Sequence, residues 1–162
     1  MIRHARASDH PQIRAVLDAA FKRGHEGDIV DHLRADGDVM FELVEEDDAG
    51  ALAGHVLFSR LWADSINLYA ALGPLAVRPD VQQAGTGQRL TRAGLETAKE
   101  FGAHAVIVLG HPDYYPRFGF SAEATRLVAC PYSGLPAFMA LEIEPGALAQ
   151  PLSIAYPDAF GG

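Results

Sequence analysis

The stretch from Leu72 to Gly87, LGPLAVRPDVQQAGTG, constrains this chain more than any other. Apolar Leu75, Ala76 and Val77 read as the end of a strand that stops at Arg78-Pro79. Gln82-Gln83-Ala84-Gly85-Thr86-Gly87 follows as a glycine-bearing turn, and a helical pattern begins at Gln88. Strand, turn and helix start together form a ready anion site. The first N–H groups of a helix have no intrahelical partner. The macrodipole adds about half a positive charge there, and glycines remove the Cβ atoms that would hold a phosphate off. By itself this arrangement suits a dinucleotide, a nucleotide or a sulfate. A Rossmann fingerprint requires a third glycine, whereas Gly85-Thr86-Gly87 runs into Gln88-Arg89-Leu90. A Walker loop requires Gly-Lys-Ser/Thr, which the sequence lacks. A purely structural helix start with flexible glycines is the remaining alternative.

The 162 residues, 49% hydrophobic and 21% charged, suit one folded domain spanning 1–162 rather than a disordered chain. No apolar run approaches the roughly 20 residues of a membrane span, so no membrane partner is expected. Met1-Ile2-Arg3-His4-Ala5-Arg6 lacks an apolar signal core, and a cytoplasmic location is the expectation. A single cysteine, Cys130, excludes an internal disulfide framework. The net charge of −8, from 21 acidic and 13 basic residues, speaks against a nucleic-acid partner. It either favours a cationic acceptor through long-range steering or serves solubility alone.

Periodicity organises the rest. Ile2 to Ala5 reads as a first strand. Ser8 or Asp9 caps a helix whose first turn holds Pro11 and whose apolar face is Ile13, Val16, Leu17, Ala20 and Phe21. A shorter helix carries Ile29, Val30 and Leu33 and ends near Gly37. Val39 to Val44 and Ala51 to Leu61 read as a hairpin around Glu45 to Gly50. Ile66 to Val77 reads as the fourth strand, interrupted by Gly73-Pro74, a pair that marks a bulge. Leu90, Ala93, Gly94, Ala98 and Phe101 share one face of the following helix, which stops at Gly102. Ala105 to Leu109 is a continuous apolar run, expected of a fifth strand buried on both faces and parallel to the fourth. A short helix around Pro112 to Tyr115, strands at Leu127 to Ala129 and Phe138 to Ile143, and a loosely packed tail from Pro145 complete the chain.

Two motifs narrow the function. Leu75-Ala76-Val77-Arg78-Pro79 followed by Gln82-x-x-Gly85-x-Gly87 resembles the acyl-CoA pyrophosphate loop of the GNAT N-acetyltransferases. Tyr114-Tyr115-Pro116-Arg117-Phe118-Gly119-Phe120 resembles that family's second motif, a tyrosine four residues before Gly-Phe. The match in order runs from about Ile2 to Ile143. The resemblance implies a single α/β domain with a mixed, mostly antiparallel sheet flanked by helices and splayed between strands four and five. It implies acetyl-CoA as co-substrate and direct attack of a primary amine, on a small molecule or peptide, in a ternary complex. It implies cofactor contacts from Leu75, Ala76, Val77, Gln82, Gln83, Ala84, Gly85, Thr86, Gly87 and Gln88. Arg78 and Arg89 either add charge there or are solvated surface residues.

Acetyl transfer also needs a general acid and a general base. By resemblance Tyr115 occupies the position whose hydroxyl approaches the CoA sulfur. A phenol stays protonated at neutral pH and is able to donate to a thiolate. The alternative is a core aromatic, and Tyr114 is next in line. Some members carry a glutamate where this chain has Ala71, so the base stays open among Glu26, His25, Glu42, His55 and a water relay. His111 stands near a position where many members have a pantetheine-contacting asparagine; it either contacts CoA or caps the next helix. The histidines show no HExxH pair, and no metal is expected. Cys130 reads as a small buried hydrophobe. Phe58, Trp62, Tyr69 and Phe138 read as core or as acceptor-pocket lining, and the N-terminal helices with the loops near Trp62 and Pro131 to Pro136 are expected to shape the acceptor site. The rival readings are an acyl-CoA sensor without turnover, a transferase for another acyl group or a hydroxyl acceptor, and a transferase acting on charged tRNA. The late strands are able to pair across a homodimer.

Overall fold

The computed structural model describes residues 1–161. The strands are β1 (Ile2–His4), β2 (Val39–Glu46), β3 (Leu52–Arg60), β4 (Trp62–Ala63), β5 (Tyr69–Val77), β6 (Ala105–Leu109), β7 (Val128–Ala129), β8 (Phe138–Glu142) and β9 (Leu152–Ala155). The helices are α1 (His10–Phe21), α2 (His25–Asp36) and α3 (Thr86–Glu100). One six-stranded sheet runs β1-β2-β3-β5-β6-β8, and a small second sheet runs β4-β9-β7. In the main sheet every pair is antiparallel except β5–β6, which is parallel and joined through α3. The tiny β4 comes between the expected third and fourth strands, so those called fourth and fifth from sequence are β5 and β6.

Helices cover both faces. Ile13, Leu17, Val30 and Leu33 of α1 and α2 pack with Val44, Leu57 and Ala76. Leu90 and Ala98 of α3 pack on the other face with Phe58, Val106 and Met139. Each such fully buried side chain stabilises the fold by roughly 1.5–3 kcal/mol over an exposed one. Strands β3 and β6 are buried on both faces as a result.

The sheet opens in the middle of β5. Residues Tyr69 to Leu72 pair with Ala105 to Val108 of β6, and the pairing stops there. Gly73, at φ +140°, and a cis Gly73–Pro74 bond follow. The register with β3 slips by one residue between Val56 and Phe58, and then Leu75, Ala76 and Val77 pair with Val56, His55 and Gly54. The last residues of β5 therefore keep a partner on one side only. Their other edge faces the gap left by β6.

Four expectations change. Ile66 lies outside β5 and is fully exposed, because Ser65 and Asn67 form a polar turn in which the Ser65 hydroxyl accepts the Asn67 N–H. The helical segment expected around Pro112 to Tyr115 is instead a 3₁₀ turn at Tyr115–Phe118. Asp9 precedes α1 but does not cap it; its carboxylate takes the Arg6 N–H and a fork from Arg3. The tail is not loose: β9 sits between β4 and β7, and a 3₁₀ turn at Asp158–Phe160 packs on α2.

Candidate active site

A cavity of about 1020 Å³ opens where β5 and β6 part. It is at the upper end of the roughly 300–1,000 Å³ usual for small-molecule sites, which leaves room for an extended ligand and a second reactant. Its floor is β5. Side chains alternate along a strand, so Leu75 and Val77 line the cavity while Ala76 faces the opposite way, into the core under α1.

The glycine turn forms one end. Gly85, at φ +88°, adopts the left-handed conformation that glycine favours, and α3 begins immediately after it. The Gln82 side chain donates to the Val77 carbonyl at 3.1 Å and ties the turn to β5. The amides of Gln82 and Ala84 are taken by the carbonyls of Pro79 and Val81. Those of Gln83, Gly85, Thr86, Gly87 and Gln88 have no protein acceptor among the described residues. Gln82, Gln83, Gly85, Gly87 and Gln88 line the cavity, whereas Ala84 and Thr86 do not. The Thr86 hydroxyl is buried and donates to Glu45 at 3.0 Å, so its side chain anchors the helix rather than facing the cavity.

The nearby cations divide sharply. Arg78 is held by Asp80 at 2.6 Å and Asp47 at 3.1 Å. Arg89 is held by both oxygens of Glu45, at 2.7 and 2.9 Å. Both sequence candidates for phosphate charge are therefore already neutralised. Arg117 lines the cavity, bonds only backbone carbonyls and lies 4.7 Å over the Tyr114 ring. It has no carboxylate partner among the described residues. The sequence signal for it was present, inside the tyrosine motif, but charge neutralisation elsewhere is a property of the fold.

Tyr114 and Tyr115 both line the cavity and stand edge to face, 5.0 Å apart. The Tyr114 hydroxyl lies 3.1 Å from where a Cβ on Gly87 would sit, at the start of α3. The Tyr115 ring is buried against Phe120 and against Gly110, where a Cβ would overlap it. Its hydroxyl has no protein partner among the described residues, and burial pushes its pKa well above the usual phenol value. Tyr115 is therefore a neutral O–H donor at every physiological pH. The exposed His111 sits on the cavity rim, while its carbonyl accepts the N–H groups of Tyr114 and Tyr115.

The opposite end is built from the α1–α2 junction and the tail. His25 and Glu26 line it, and Arg23 grips Glu26 with a fork, Nε to Oε1 at 2.9 Å. That hydrogen bonding holds the Glu26 carboxyl below its usual range despite its burial. Of the candidate bases, Glu42 and His55 are not here. They lie in the core behind the sheet, His55 Nε2 to Glu42 at 2.8 Å, with Arg34 bound to the same carboxylate. Burial alone would raise the Glu42 pKa, but the bonds from His55 and Arg34 win and bring it to about 2. Tyr132, Tyr156 and Phe160 close this end; Tyr132 lies in the Pro131 to Pro136 loop expected to shape the acceptor site, whereas sequence reading missed Tyr156 and Phe160. Cys130 is half-buried, its sulfur accepting the Tyr132 N–H at 3.4 Å. Phe58, Tyr69 and Phe138 are core; Trp62 is exposed under Arg60. Among the described residues no cluster of His, Cys, Asp and Glu has the makings of a metal site, and no helix is long and apolar enough to cross a membrane.

A splayed parallel strand pair, a bulged floor and a glycine turn of free amides give the mixed α/β fold that the two sequence motifs implied. Comparison with known proteins gives the family. Residues 5–120 match the acetyltransferase (GNAT) family, and the chain belongs to it. The N-acetyltransferase YhbS of Escherichia coli K12 is 36% identical over 127 residues, 78% of this chain and 76% of that protein. The crystal structure of E. coli YhbS in complex with CoA superposes with a TM-score of 0.91 at 32% identity, covering 100% of this chain and 92% of that one. A GNAT acetyltransferase from Brucella melitensis in complex with acetyl-CoA gives 0.83 at 35% identity, covering 99% and 97%. The chain is accordingly an enzyme of the N-acyltransferase class with the expected mixed sheet.

Proposed function

We propose that the protein transfers the acetyl group of acetyl-CoA to a primary amine by direct attack in a ternary complex. The observation that carries this reading is the row of unpartnered amides at Gln83 and Gly85 to Gln88, at the open edge of β5. The CoA and acetyl-CoA bound by the YhbS and Brucella proteins support the same ligand here. The amides take the pyrophosphate oxygens, where helix-end N–H groups and dipole favour an anion. Arg117 adds the nearby positive charge. The unpaired edge of Leu75 to Val77 hydrogen-bonds the pantetheine, and one of its N–H groups faces the thioester oxygen as negative charge develops.

The amine nitrogen attacks the thioester carbon, so the N–C bond forms and the C–S bond breaks. Tyr115 gives its proton to the departing sulfur. The amine loses a proton to water, and water restores the Tyr115 proton. The products are the amide and free CoA. A steady-state kinetic series on a panel of primary amines tests the order of events. Intersecting double-reciprocal lines agree with a ternary complex; parallel lines require an acetyl-enzyme and overturn it.

The second reading is an acyl-CoA sensor without turnover. Ala71, buried at the cavity wall where some family members carry a glutamate, favours it. Thiol release with any amine of the panel excludes it.

A further inference from the structure

Glu26 is the one carboxylate among the described residues that line the cavity. Its side chain is 11% exposed, whereas that of its partner Arg23 is 61% exposed. Other buried carboxylates are held differently. Arg3 and Arg34, which grip Asp9 and Glu42, are 14% and 16% exposed. Arg34 ties α2 to β2, and Arg3 ties β1 to the turn before α1. Arg23 ties no two elements of the core; it reaches three residues along the same helix junction and makes no other hydrogen bond among the described residues.

The asymmetry has an energetic consequence. Releasing Arg23 costs little, because most of its side chain is already in water. Leaving the buried carboxylate of Glu26 alone costs more. The site therefore requires a cation, but not this particular one, and an ammonium arriving through the cavity meets the requirement. Phe21, Tyr132 and Phe160 line the same end, and cations pack favourably on aromatic faces. The phenol of Tyr132 and the imidazole of His25, both lining this end, supply further hydrogen-bonding atoms. The hydrogen bonds from Arg23 hold the Glu26 carboxyl below its usual range, so Glu26 binds a charge rather than taking a proton. The group it holds stays an ammonium, which has no lone pair with which to attack. The attacking nitrogen is then a second amine.

We propose that Glu26 binds the acceptor, that the Arg23 guanidinium is a stand-in cation which the acceptor displaces, and that the acceptor is a diamine, held at Glu26 through one ammonium while its other amine attacks the thioester. This rests on the transferase reading above. A monoamine has to choose between holding Glu26 and attacking; a diamine does both. Apolar Ile29, Ala71 and Leu72 in the same lining suit the carbon chain between its two nitrogens. The net charge of −8 draws a dication towards the protein. Glu26 is then a specificity-determining residue, and Arg23 sets how readily it is reached.

The test measures thiol release from acetyl-CoA with 1,4-diaminobutane, 1,6-diaminohexane and 1,8-diaminooctane, each against the monoamine of the same chain length, using the full chain, Glu26→Gln and Arg23→Gln. For the best-fitting length the proposal expects kcat/KM of the diamine to exceed that of its monoamine by roughly tenfold or more, the size of a charge-assisted hydrogen bond. Glu26→Gln should bring that ratio to about one. The ratio is taken within one sample, so partial unfolding of the variant lowers both rates and leaves it unchanged. Arg23→Gln should lower the diamine KM about threefold, the size of a partly exposed ion pair. Equal use of diamine and monoamine at every length, a ratio that survives Glu26→Gln, or a raised diamine KM in Arg23→Gln overturns the proposal. Release with monoamines and no diamine advantage overturns it alone and leaves the transferase reading standing; no release with any amine overturns both.

Discussion

The two ends of the cavity are built in opposite ways. The glycine-turn end is made by one continuous segment, β5 through the start of α3, and its working groups are backbone amides. The far end is assembled from α1, α2, the loop around Tyr132 and the C-terminal turn, and its working groups are side chains. A backbone site needs particular residues at particular spacings, because only glycine and a helix start leave amides free and accessible. A side-chain wall drawn from distant segments imposes no local spacing. Such loop chemistry varies on a constant fold. The difference predicts that chemistry at the first end is sensitive to single backbone positions, while the second end tunes acceptor choice.

Tyr115→Phe gives the largest expected effect. Removing the proton donor should lower kcat by about 10²–10⁴ and leave acetyl-CoA affinity unchanged, read by kinetics and calorimetry together. Equal loss in both would make Tyr115 a packing residue.

Glu42→Ala probes the framework behind both ends. It leaves buried His55 and Arg34 without their shared carboxylate, and a loss of about 3–5 kcal/mol is expected in denaturant unfolding. The pH dependence follows from the same network. Burial lowers the His55 pKa below 6.5 in the folded state, so the unfolded chain binds that proton more readily and stability falls as pH drops below about 6.5. Glu42 titrates near 2 when folded against 4.5 when free, so its contribution is full above 4.5 and is lost between 4.5 and 2. Unfolding temperature should therefore decline on acidification in two stages, and Glu42→Gln should flatten the second.

Gly87→Val places a branched side chain beside the Tyr114 hydroxyl and over the free amides. CoA binding should weaken on the order of 100-fold, the loss of one or two charge-assisted hydrogen bonds. Arg117→Ala should weaken CoA binding about tenfold. Arg78→Ala, whose side chain is already paired and partly exposed, should change it by less than about threefold. If Arg78 mattered more than Arg117, the division between free and neutralised cations would be wrong.

Much of this was legible in the sequence. The β5–turn–α3 unit, the buried β6, the Gly73-Pro74 interruption and the two-motif spacing are all local patterns; each is present in the fold, with β5 starting at Tyr69 rather than Ile66 and α3 at Thr86 rather than Gln88. The sequence also named Leu75, Val77, Gln82, Gln83, Gly85, Gly87, Gln88 and Tyr115, which the fold gathers at one cavity. It did not separate Ala76, Ala84 and Thr86 from them, because strand facing and turn hydrogen bonds depend on register. It did not remove Glu42 and His55 from the list of bases, since only pairing between β2 and β3 puts them together behind the sheet. Arg117 stood in the tyrosine motif, but only the fold pairs Arg78 and Arg89 with carboxylates and leaves Arg117 on backbone carbonyls; Tyr156 was disguised by a tail whose Pro, Gly and Ala content hid a strand held by β4 and β7.

The central claim is that the free amides of the turn bind an acyl-CoA. The most direct measurement is thermal unfolding with acetyl-CoA, CoA and, as control, NAD. At 100 times its dissociation constant a ligand adds about 2.7 kcal/mol, which for a domain of this size shifts the midpoint by roughly 5–10 °C. A shift of that size with acetyl-CoA and with CoA, absent with NAD and reduced to about 1–2 °C in Gly87→Val, is the predicted result. No shift with either CoA ligand at millimolar concentration contradicts the account.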